Sequence, residues 1–253
     1  MRLAIEIIML LAALALGAFA IAGWRRESRS VVAGLGLTLD RRTVPDLLAG
    51  AAIAGVAMAG IHASERALGG IATTPLAGAV APLTGVAAGM LVIALKEELL
   101  MRGMMLSGLL RLLRGRAALA IGISALAFGL IHLSNPAASA LSVLGNTLGG
   151  VVYGLGFVLT GRLWLPIGLH FAWNFVQGPI LGFPVSGIPE GGLLRAQDLG
   201  PAWLTGGAYG PEGGAIGIGF RFVVIAAVLA WTTLSVNRRQ GRETLPFPGP
   251  PVS

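Results

Sequence analysis

The sequence has no cysteine and little charge. Without cysteine the chain forms no disulfide, and zinc sites or redox centres built on cysteine are excluded. Asp, Glu, Lys and Arg make up 11% of the 253 residues, whereas a typical soluble domain has roughly 25%. Hydrophobic residues make up 55%. Such a chain cannot cover itself with polar side chains, so the composition favours a polytopic membrane protein.

Apolar segments that suit a lipid bilayer recur along the whole chain. A transmembrane helix needs ~20 predominantly apolar residues, and most of the segments approach or exceed that length. The predicted spans are Leu3–Ala22, Leu47–His62, Leu83–Leu110, Ala117–Leu133, Ala138–Thr160, Leu163–Gln177 and Ala215–Val236. The pattern therefore predicts an all-α polytopic bundle of about seven transmembrane helices, with a range of six to eight.

The sequence predicts a single domain. It has no repeat of fixed period and no stretch long enough for a separate soluble domain, so we expect one transmembrane domain over residues 1–245. Residues 178–214, rich in Gly and Pro, are expected to form a long loop, and "PFPGPP" indicates a disordered tail at residues 246–253. Ala18-Phe19-Ala20 resembles a signal-peptidase site, but "WRRESR" follows at once, which favours a retained first helix.

Arginines are concentrated in alternate loops of the predicted bundle. The loops after the first, third, fifth and seventh spans hold Arg25, Arg26, Arg29, Arg41, Arg42, Arg111, Arg114, Arg116, Arg162, Arg238, Arg239 and Arg242. The opposite side receives Arg2, Arg66 and Arg195. Because basic loops are enriched in the cytoplasm, we expect the N-terminus outside and the C-terminus in the cytoplasm. The net charge of +7 then reflects topology, and no nucleic-acid partner is expected.

Several ionisable and amide side chains fall inside the predicted spans. Such groups are costly at membrane depth and by default indicate a functional site. They are Glu97, Glu98, Arg102, His132, His170, Asn135, Asn146 and Asn174. A single buried His or Glu often only joins two helices, whereas five ionisable groups of complementary type favour a shared site. Arg221, between Phe220 and Phe222, is instead expected to extend toward the outer membrane surface.

Helical spacing relates some of these residues to one another. Glu98 and Arg102 are four positions apart, so they share a helix face and can form an ion pair. Glu97 is rotated by ~100° from Glu98 and is expected to point elsewhere. His170 and Asn174 are also one helical turn apart, which aims two polar groups at one point.

Depth along the helices is a second test of whether the groups can meet. Along the helix axis, Glu97 lies ~25 Å from Arg114 and His132 lies ~24 Å from Arg116, so their depths in the membrane agree. His170 lies only ~12 Å from Arg162, which is a mismatch. Either the loop at Arg162 enters the bundle more deeply, or the helix is unwound at Pro166.

Three short motifs in fixed order resemble a known family. The motifs are Glu97-Glu98-x-x-x-Arg102, Phe128-x-x-x-His132 and His170-x-x-x-Asn174. They are similar to those of the CPBP (CAAX protease and bacteriocin-processing, or Abi) intramembrane peptidases, which include the type II CAAX prenyl endopeptidases. The resemblance covers the motif core at residues 83–177 and implies a bundle of about eight helices. We expect an integral protein of a bacterial or archaeal cell membrane.

The resemblance implies a glutamate peptidase without a cofactor. Its partners would be the lipid bilayer and a membrane-associated or lipidated peptide or protein substrate. Burial among helices admits water only through a polar cavity, which would confine hydrolysis to that cavity. The implied roles are water activation by Glu97 with His132, structural support by Glu98 with Arg102, and oxyanion stabilisation by His170 with Asn174.

Other functions stay open at this stage. Two histidines and a glutamate can form a catalytic zinc site, for which Glu97, His132 and His170 are the candidate ligands. The H-E-x-x-H spacing is absent, so metal-independent catalysis is favoured. A proton-coupled transporter lacks the expected inverted repeat. A non-catalytic immunity or binding scaffold is disfavoured, because every motif residue is present.

Overall fold

The computed structural model describes residues 2–76, 83–189 and 192–237, which form a helical bundle with a small two-stranded sheet. The predicted tail at residues 246–253 and three of the predicted loop arginines, at positions 238, 239 and 242, lie outside the described residues. The helices are α1 (Arg2–Arg26), α2 (Val31–Gly34), α3 (Thr43–Ala67), α4 (Leu83–Glu98), α5 (Ser107–Leu112), α6 (Ala117–Ile131), α7 (Ala140–Thr160), α8 (Trp164–Phe175), α9 (Ala202–Thr205) and α10 (Ala215–Asn237).

Two of the helices continue into π-helical segments. The π-helical residues Leu99–Leu106 join α4 to α5, so that residues 83–112 are helical throughout. A second π-helical segment, Val176–Ile180, extends α8. Short π-helical turns inside α-helices occur frequently at functional sites, because they change which side chains face a given direction. Both π-helical segments adjoin residues that the sequence marks as chemically unusual.

The expected number of about seven membrane spans is not confirmed by helix length and composition. Within the described residues, five helices are long and apolar enough to cross a bilayer: Ala4–Arg26, Thr43–Ala67, Ala117–Ser134, Ala140–Thr160 and Ala215–Ser235. The other two predicted spans contain α4 and α8, which have 16 and 12 residues of regular α-helix. The chain is an integral membrane protein with an all-helical membrane region, and these two irregular helices lie among its spans.

The ends of four helices meet at one end of the bundle. Glu27, just after α1, pairs with Arg111 of α5 at 2.5 Å. Arg162, just after α7, pairs with Asp40 at 2.7 Å. Arg42 donates to the carbonyl of Ser235, near the end of α10, at 3.4 Å. The arginine-rich loops that the structure describes therefore lie on the same side, as the alternation of charge predicts.

Among the described helices, α3 and α8 pack against each other most extensively. A Cβ at Gly50 would lie 2.7 Å from the backbone nitrogen of Leu169, and one at Gly168 would collide with the backbone of Leu47. Only glycine permits this approach, which is how small residues bring helices together in lipid. The contact fixes α8, and thus His170, firmly within the bundle.

The long loop that follows α8 is more structured than the sequence suggested. Strand β1 (Ile71–Pro75) pairs antiparallel with strand β2 (Leu194–Asp198). Two 3₁₀ turns, Gly207–Tyr209 and Pro211–Gly213, lead into α10. The all-α class describes the helical bundle, and this small sheet is an addition that the sequence did not predict. The loop also brings Tyr209 and Glu212 into the bundle, where they are buried.

Candidate active site

A cavity of about 440 Å³ opens among the helices. Its walls come from α1, α4, α6, α7, α8, α10 and the loop before α10. The predicted site residues that line it are Glu97, His132, His170 and Asn174, together with the amides Asn135 and Asn146. Groups from three separate predicted spans thus meet around one space, as the three motifs suggested.

Glu98 and Arg102 form the predicted ion pair behind the cavity. Their side chains are fully buried, and Arg102 Nη1 donates to Glu98 Oε1 at 2.9 Å. The guanidinium also donates to the carbonyl of Gly150 at 3.2 Å and lies over the Phe128 ring, 4.6 Å from its centroid. A buried charge needs such compensation, because desolvation of an unpaired ion is costly.

The π-helical segment sets the position of this pair. Glu98 is the last residue of α4, and Arg102 lies inside Leu99–Leu106. Two serines bond the backbone there: Ser124 donates to the Met101 carbonyl at 3.2 Å, and Ser107 donates to the Arg102 carbonyl at 3.3 Å. These bonds help satisfy backbone carbonyls where the helix departs from regular α geometry.

His170 connects the two adjacent glutamates. Its Nδ1 lies 2.8 Å from Glu98 Oε1, the same oxygen that accepts from Arg102. Its Nε2 lies 3.9 Å from Glu97 Oε2. The ring stacks on Tyr153, with centroids 5.0 Å apart and planes 8° from parallel. His170 is therefore held by a carboxylate on one side and faces Glu97 with its other nitrogen.

Glu97 is the carboxylate that faces the cavity. Its side chain is 27% exposed, whereas that of Glu98 is 0% exposed. The expectation that the two adjacent glutamates point in different directions is met. Glu97 is nevertheless not isolated, since His170 Nε2 lies near it.

The orientation of His132 follows from its backbone contact. Its Nδ1 lies 2.7 Å from the carbonyl oxygen of Phe128, one turn earlier. A carbonyl only accepts, so Nδ1 carries the proton and the neutral ring keeps a lone pair on Nε2. Because His132 lines the cavity, Nε2 is the nitrogen left for water or substrate.

The depth mismatch at His170 does not keep it from the other groups, since its Nδ1 lies 2.8 Å from Glu98 Oε1. Leu163 and Leu165, at the start of α8, are fully buried, whereas Arg162 pairs with the exposed Asp40 at the end of the bundle. The chain therefore passes into the core directly after Arg162. Pro166 lies within α8, so the alternative of an unwound start is wrong.

Arg221 was misassigned from the sequence and belongs to the cavity. It is 2% exposed and lines the cavity, so the expectation that it extends to the outer surface is wrong. Its guanidinium lies over the Trp173 ring, 3.4 Å from the centroid. Like Arg102, Arg221 lies inside a predicted apolar span, and this position in the sequence could have identified it as a candidate site residue.

A second group of polar residues comes from the loop before α10. Glu212 is 2% exposed; it accepts from Gln177 at 2.6 Å and from Ser186 at 3.3 Å. Burial raises the pKa of the Glu212 carboxyl above its usual value, against the opposing effect of Arg221. Burial also raises the pKa of Tyr209 to about 12, and its hydroxyl accepts from Asn146 at 2.8 Å. No local motif marks these loop residues, because only the fold brings them to the cavity.

The arrangement of potential metal ligands is the next feature of the site. Within the parts of the chain that the structure describes, no three His, Asp or Glu side chains form a group that could hold a metal ion. His132 and His170 do each direct Nδ1 to an oxygen acceptor, which leaves Nε2 toward the cavity.

A known protein family matches part of this chain. The family described as "Type II CAAX prenyl endopeptidase Rce1-like" matches residues 79–176. No curated protein and no solved structure matches the chain. The matched region contains all three motifs and the helices that carry them. The match covers less than half of the 253 residues and supports the placement of residues 79–176 of this membrane protein in the CAAX protease family.

Proposed function

We propose that this protein is an intramembrane endopeptidase that hydrolyses a peptide bond of a membrane-associated or lipidated peptide. The observation that carries the proposal is Glu97, a partly buried carboxylate that faces a cavity shared with His132 and His170. A carboxylate at membrane depth without a direct arginine partner costs free energy, and a residue of this kind by default indicates a functional site. The assignment of residues 79–176 to a protease family supports the same conclusion.

In the proposed mechanism Glu97 is the general base. It takes a proton from a water molecule while the water oxygen attacks the carbonyl carbon of the substrate, and the carbonyl becomes an oxyanion. His132 holds the same water through Nε2. When the tetrahedral intermediate collapses, the C–N bond breaks and the leaving nitrogen receives the proton from Glu97. General acid–base assistance of this kind contributes typically ~10²–10⁴-fold.

The oxyanion is assigned to donors on α8. His170 and Asn174 are one turn apart and both line the cavity. In its charged form, His170 donates one N–H to Glu98 and offers the other, on Nε2, to the developing negative charge. Its anchoring by Glu98 fixes that donor before the reaction, which is the condition for effective electrostatic stabilisation.

The cavity walls support an apolar, membrane-borne substrate. Helix α1 contributes Met9, Leu10 and Ala13, and α4 contributes Met90 and Ile93. Helix α1 packs mainly on the π-helical segment and α5, and it barely touches α4. The side of the cavity between α1 and α4 is therefore lined mainly by apolar groups, to which Glu6 and Lys96 add two charged side chains, and lipid chains or an apolar peptide segment fit along the apolar part.

Zinc-dependent peptide hydrolysis is the second candidate. Metal-ligating histidines almost always donate their other ring N–H to a carboxylate or a backbone carbonyl, and both histidines have such acceptors. In that case Glu97, His132 and His170 would act as ligands. We favour metal-free catalysis, because among the described residues no group of three has metal-binding geometry.

Cleavage by the purified, lipid-reconstituted protein tests the proposal. Membrane-anchored peptides should be cut by the wild type and left intact by Glu97→Gln, with products identified by mass spectrometry. Asn174→Ala should keep a trace of activity, since loss of one oxyanion donor costs roughly 10²–10³-fold. Activity that survives a strong chelator supports the metal-free mechanism, whereas loss restored by zinc supports the second candidate. Full activity of Glu97→Gln would refute both.

The proposed orientation places the N-terminus outside and the C-terminus in the cytoplasm of a bacterial or archaeal cell. It is supported by the arginines gathered at one end of the bundle, which basic enrichment assigns to the cytoplasm.

A further inference from the structure

Glu65 is a buried acid in the last turn of α3, outside the residues that line the cavity. Its side chain is 0% exposed, and within the described residues neither carboxylate oxygen has a hydrogen-bond partner. The next residue, Arg66, is exposed, and no described Lys, Arg or His lies within ion-pair distance of Glu65. Because the C-terminal end of a helix carries partial negative charge, a carboxylate buried there needs a positive partner.

A second acid, Asp198 at the end of β2, lies beside Glu65. Two backbone hydrogen bonds bring the acids together: Gly70 N donates to the Glu65 carbonyl, and Leu199 N donates to the Gly70 carbonyl, both at 2.8 Å. Asp198 acts on Glu65 electrostatically, but no hydrogen bond joins the two carboxylates. Two carboxylates in this arrangement repel each other unless a positive charge lies between them.

Protonation of Glu65 would remove its charge but would not satisfy its polar atoms. A neutral carboxyl group has an O–H donor and a carbonyl acceptor. Neither Oε1 nor Oε2 of Glu65 has a partner in the part of the chain that the structure describes. A buried polar group without a partner costs free energy even when it is uncharged. A cation bound between the two acids would compensate the charge and engage both oxygens at once.

Asp198 connects Glu65 to solvent. Its side chain is exposed, and its Oδ1 accepts from the Thr205 hydroxyl at 2.6 Å, which holds the carboxylate in place. Ca²⁺ and Mg²⁺ are bound by carboxylate oxygens, and water molecules complete their coordination. One buried and one exposed carboxylate therefore suit a divalent cation that keeps part of its water shell.

We propose that Glu65 and Asp198 form a binding site for a divalent cation, Ca²⁺ or Mg²⁺, that ties the end of α3 to β2 and α9. Two acidic ligands make a weak site, in the range of ~10⁻⁴–10⁻³ M that is typical of extracellular calcium modules. Strand β2 and α9 precede Tyr209 and Glu212 in the chain, so the ion would stabilise the segment that brings these two residues into the bundle. The site is separate from the proposed catalytic groups and does not rest on the peptidase function.

Thermal unfolding of the detergent-purified full chain tests the site without any substrate. After treatment with a chelator, CaCl₂ or MgCl₂ at about 10 mM should raise the unfolding midpoint of the wild type by roughly 3–5 °C above NaCl of equal ionic strength, as expected for a dissociation constant of ~1 mM. The salt that acts at the lower concentration identifies the preferred ion. Glu65→Gln and Asp198→Asn should each abolish the shift. Glu27→Gln, an exposed acid just after α1, is the matched control and should keep it.

Terbium luminescence tests where the ion binds. Tb³⁺ replaces Ca²⁺ at oxygen-rich sites and emits when a nearby tryptophan is excited. Trp203 is two residues before Thr205, whose hydroxyl bonds Asp198. Emission from the wild type should be displaced by excess Ca²⁺ and lost in Asp198→Asn. Trp203→Phe should weaken the emission and leave the calcium shift of the midpoint unchanged, because Trp203 only reports on the ion.

Two outcomes would overturn the proposal. The first is an equal wild-type midpoint in divalent salt and in NaCl of the same ionic strength, which would show that no cation binds. The second is a shift that persists in the acid variants, which would place the ion elsewhere on the protein. If Glu65→Gln does not fold, Asp198→Asn decides alone, since Asp198 is exposed and its replacement leaves the buried side chain intact.

Discussion

The imidazole of His170 and the carboxylate of Glu98 lie 2.8 Å apart although 72 residues separate them in the chain. The contact joins α8 to the end of α4, at the start of the π-helical segment. Glu98 is itself held by Arg102 through the same oxygen, Oε1. A buried arginine, a glutamate and a histidine thus form one chain of charge-assisted hydrogen bonds that ends at His170, whose Nε2 lies 3.9 Å from Glu97 Oε2. Such a chain orients His170 before a substrate arrives.

The first prediction separates the two adjacent glutamates. Arg102→Ala should strand the Glu98 carboxylate without its partner, and removing one member of a buried pair costs roughly 3–5 kcal/mol of unfolding free energy. Glu97→Gln should leave stability within about 0.5 kcal/mol of wild type, because the side chain is partly exposed. Thermal unfolding in detergent, followed by tryptophan fluorescence, measures both. Equal stability of the two variants would contradict this division of roles.

The convergence of the three motifs could be anticipated from the sequence for a physical reason. A charged side chain in lipid costs free energy, so the charged side chains within membrane spans face the bundle interior and pair with one another. The ion pair of Glu98 with Arg102 follows from their spacing of four residues. The depth estimate failed for His170, since it put this residue well short of Glu97 although the His170 ring contacts Glu98. Arg162 pairs with the exposed Asp40 at the end of the bundle, while the next residue, Leu163, is already fully buried.

Contacts made by the loop before α10 could not be derived from local pattern. Glu212 and Tyr209 reach the cavity through a segment rich in glycine, which has neither helical nor strand periodicity. The strands β1 and β2 have five residues each and lie more than a hundred positions apart, so their pairing depends on the whole fold. Arg221 is different, since its place within an apolar span was visible and only its direction was misjudged.

The second prediction concerns orientation in the membrane. The chain has no cysteine, so single cysteines can report topology without a background. Arg41→Cys and Arg116→Cys, both exposed, should react with an impermeant maleimide only after the inner face of the membrane is opened. Gln197→Cys, exposed on β2, should react in intact cells. Labelling of Arg41→Cys and Arg116→Cys from opposite sides would contradict the fold as well as the orientation.

The third prediction is a dependence of stability on pH that comes from Glu212. Burial raises the pKa of this carboxyl in the folded protein above its usual value of 4.5. Above pH 4.5 the folded state then binds more protons than the unfolded state, so this residue's contribution to stability falls as pH rises. The fall continues until the folded pKa is passed, at up to ~1.4 kcal/mol per pH unit.

The variant Glu212→Gln isolates this effect, because other titrating groups are shared with the wild type. The difference in unfolding midpoint between the two proteins should shift in favour of the variant as pH rises above 4.5. A difference that stays constant with pH, or one that shifts in favour of the wild type, would show that burial does not govern the protonation of Glu212.

The last prediction tests whether Glu97 and His132 act on one water molecule. Each of Glu97→Gln and His132→Ala should reduce turnover by roughly 10²–10⁴-fold, the range of general acid–base assistance. Combining them should add little, because residues that act as a unit are strongly non-additive. Single-turnover assays with one cleavable membrane peptide would measure the three variants against the wild type. Losses that multiply in the double variant would mean that the two residues act on separate steps, and His132 would then lose its place beside the attacking water.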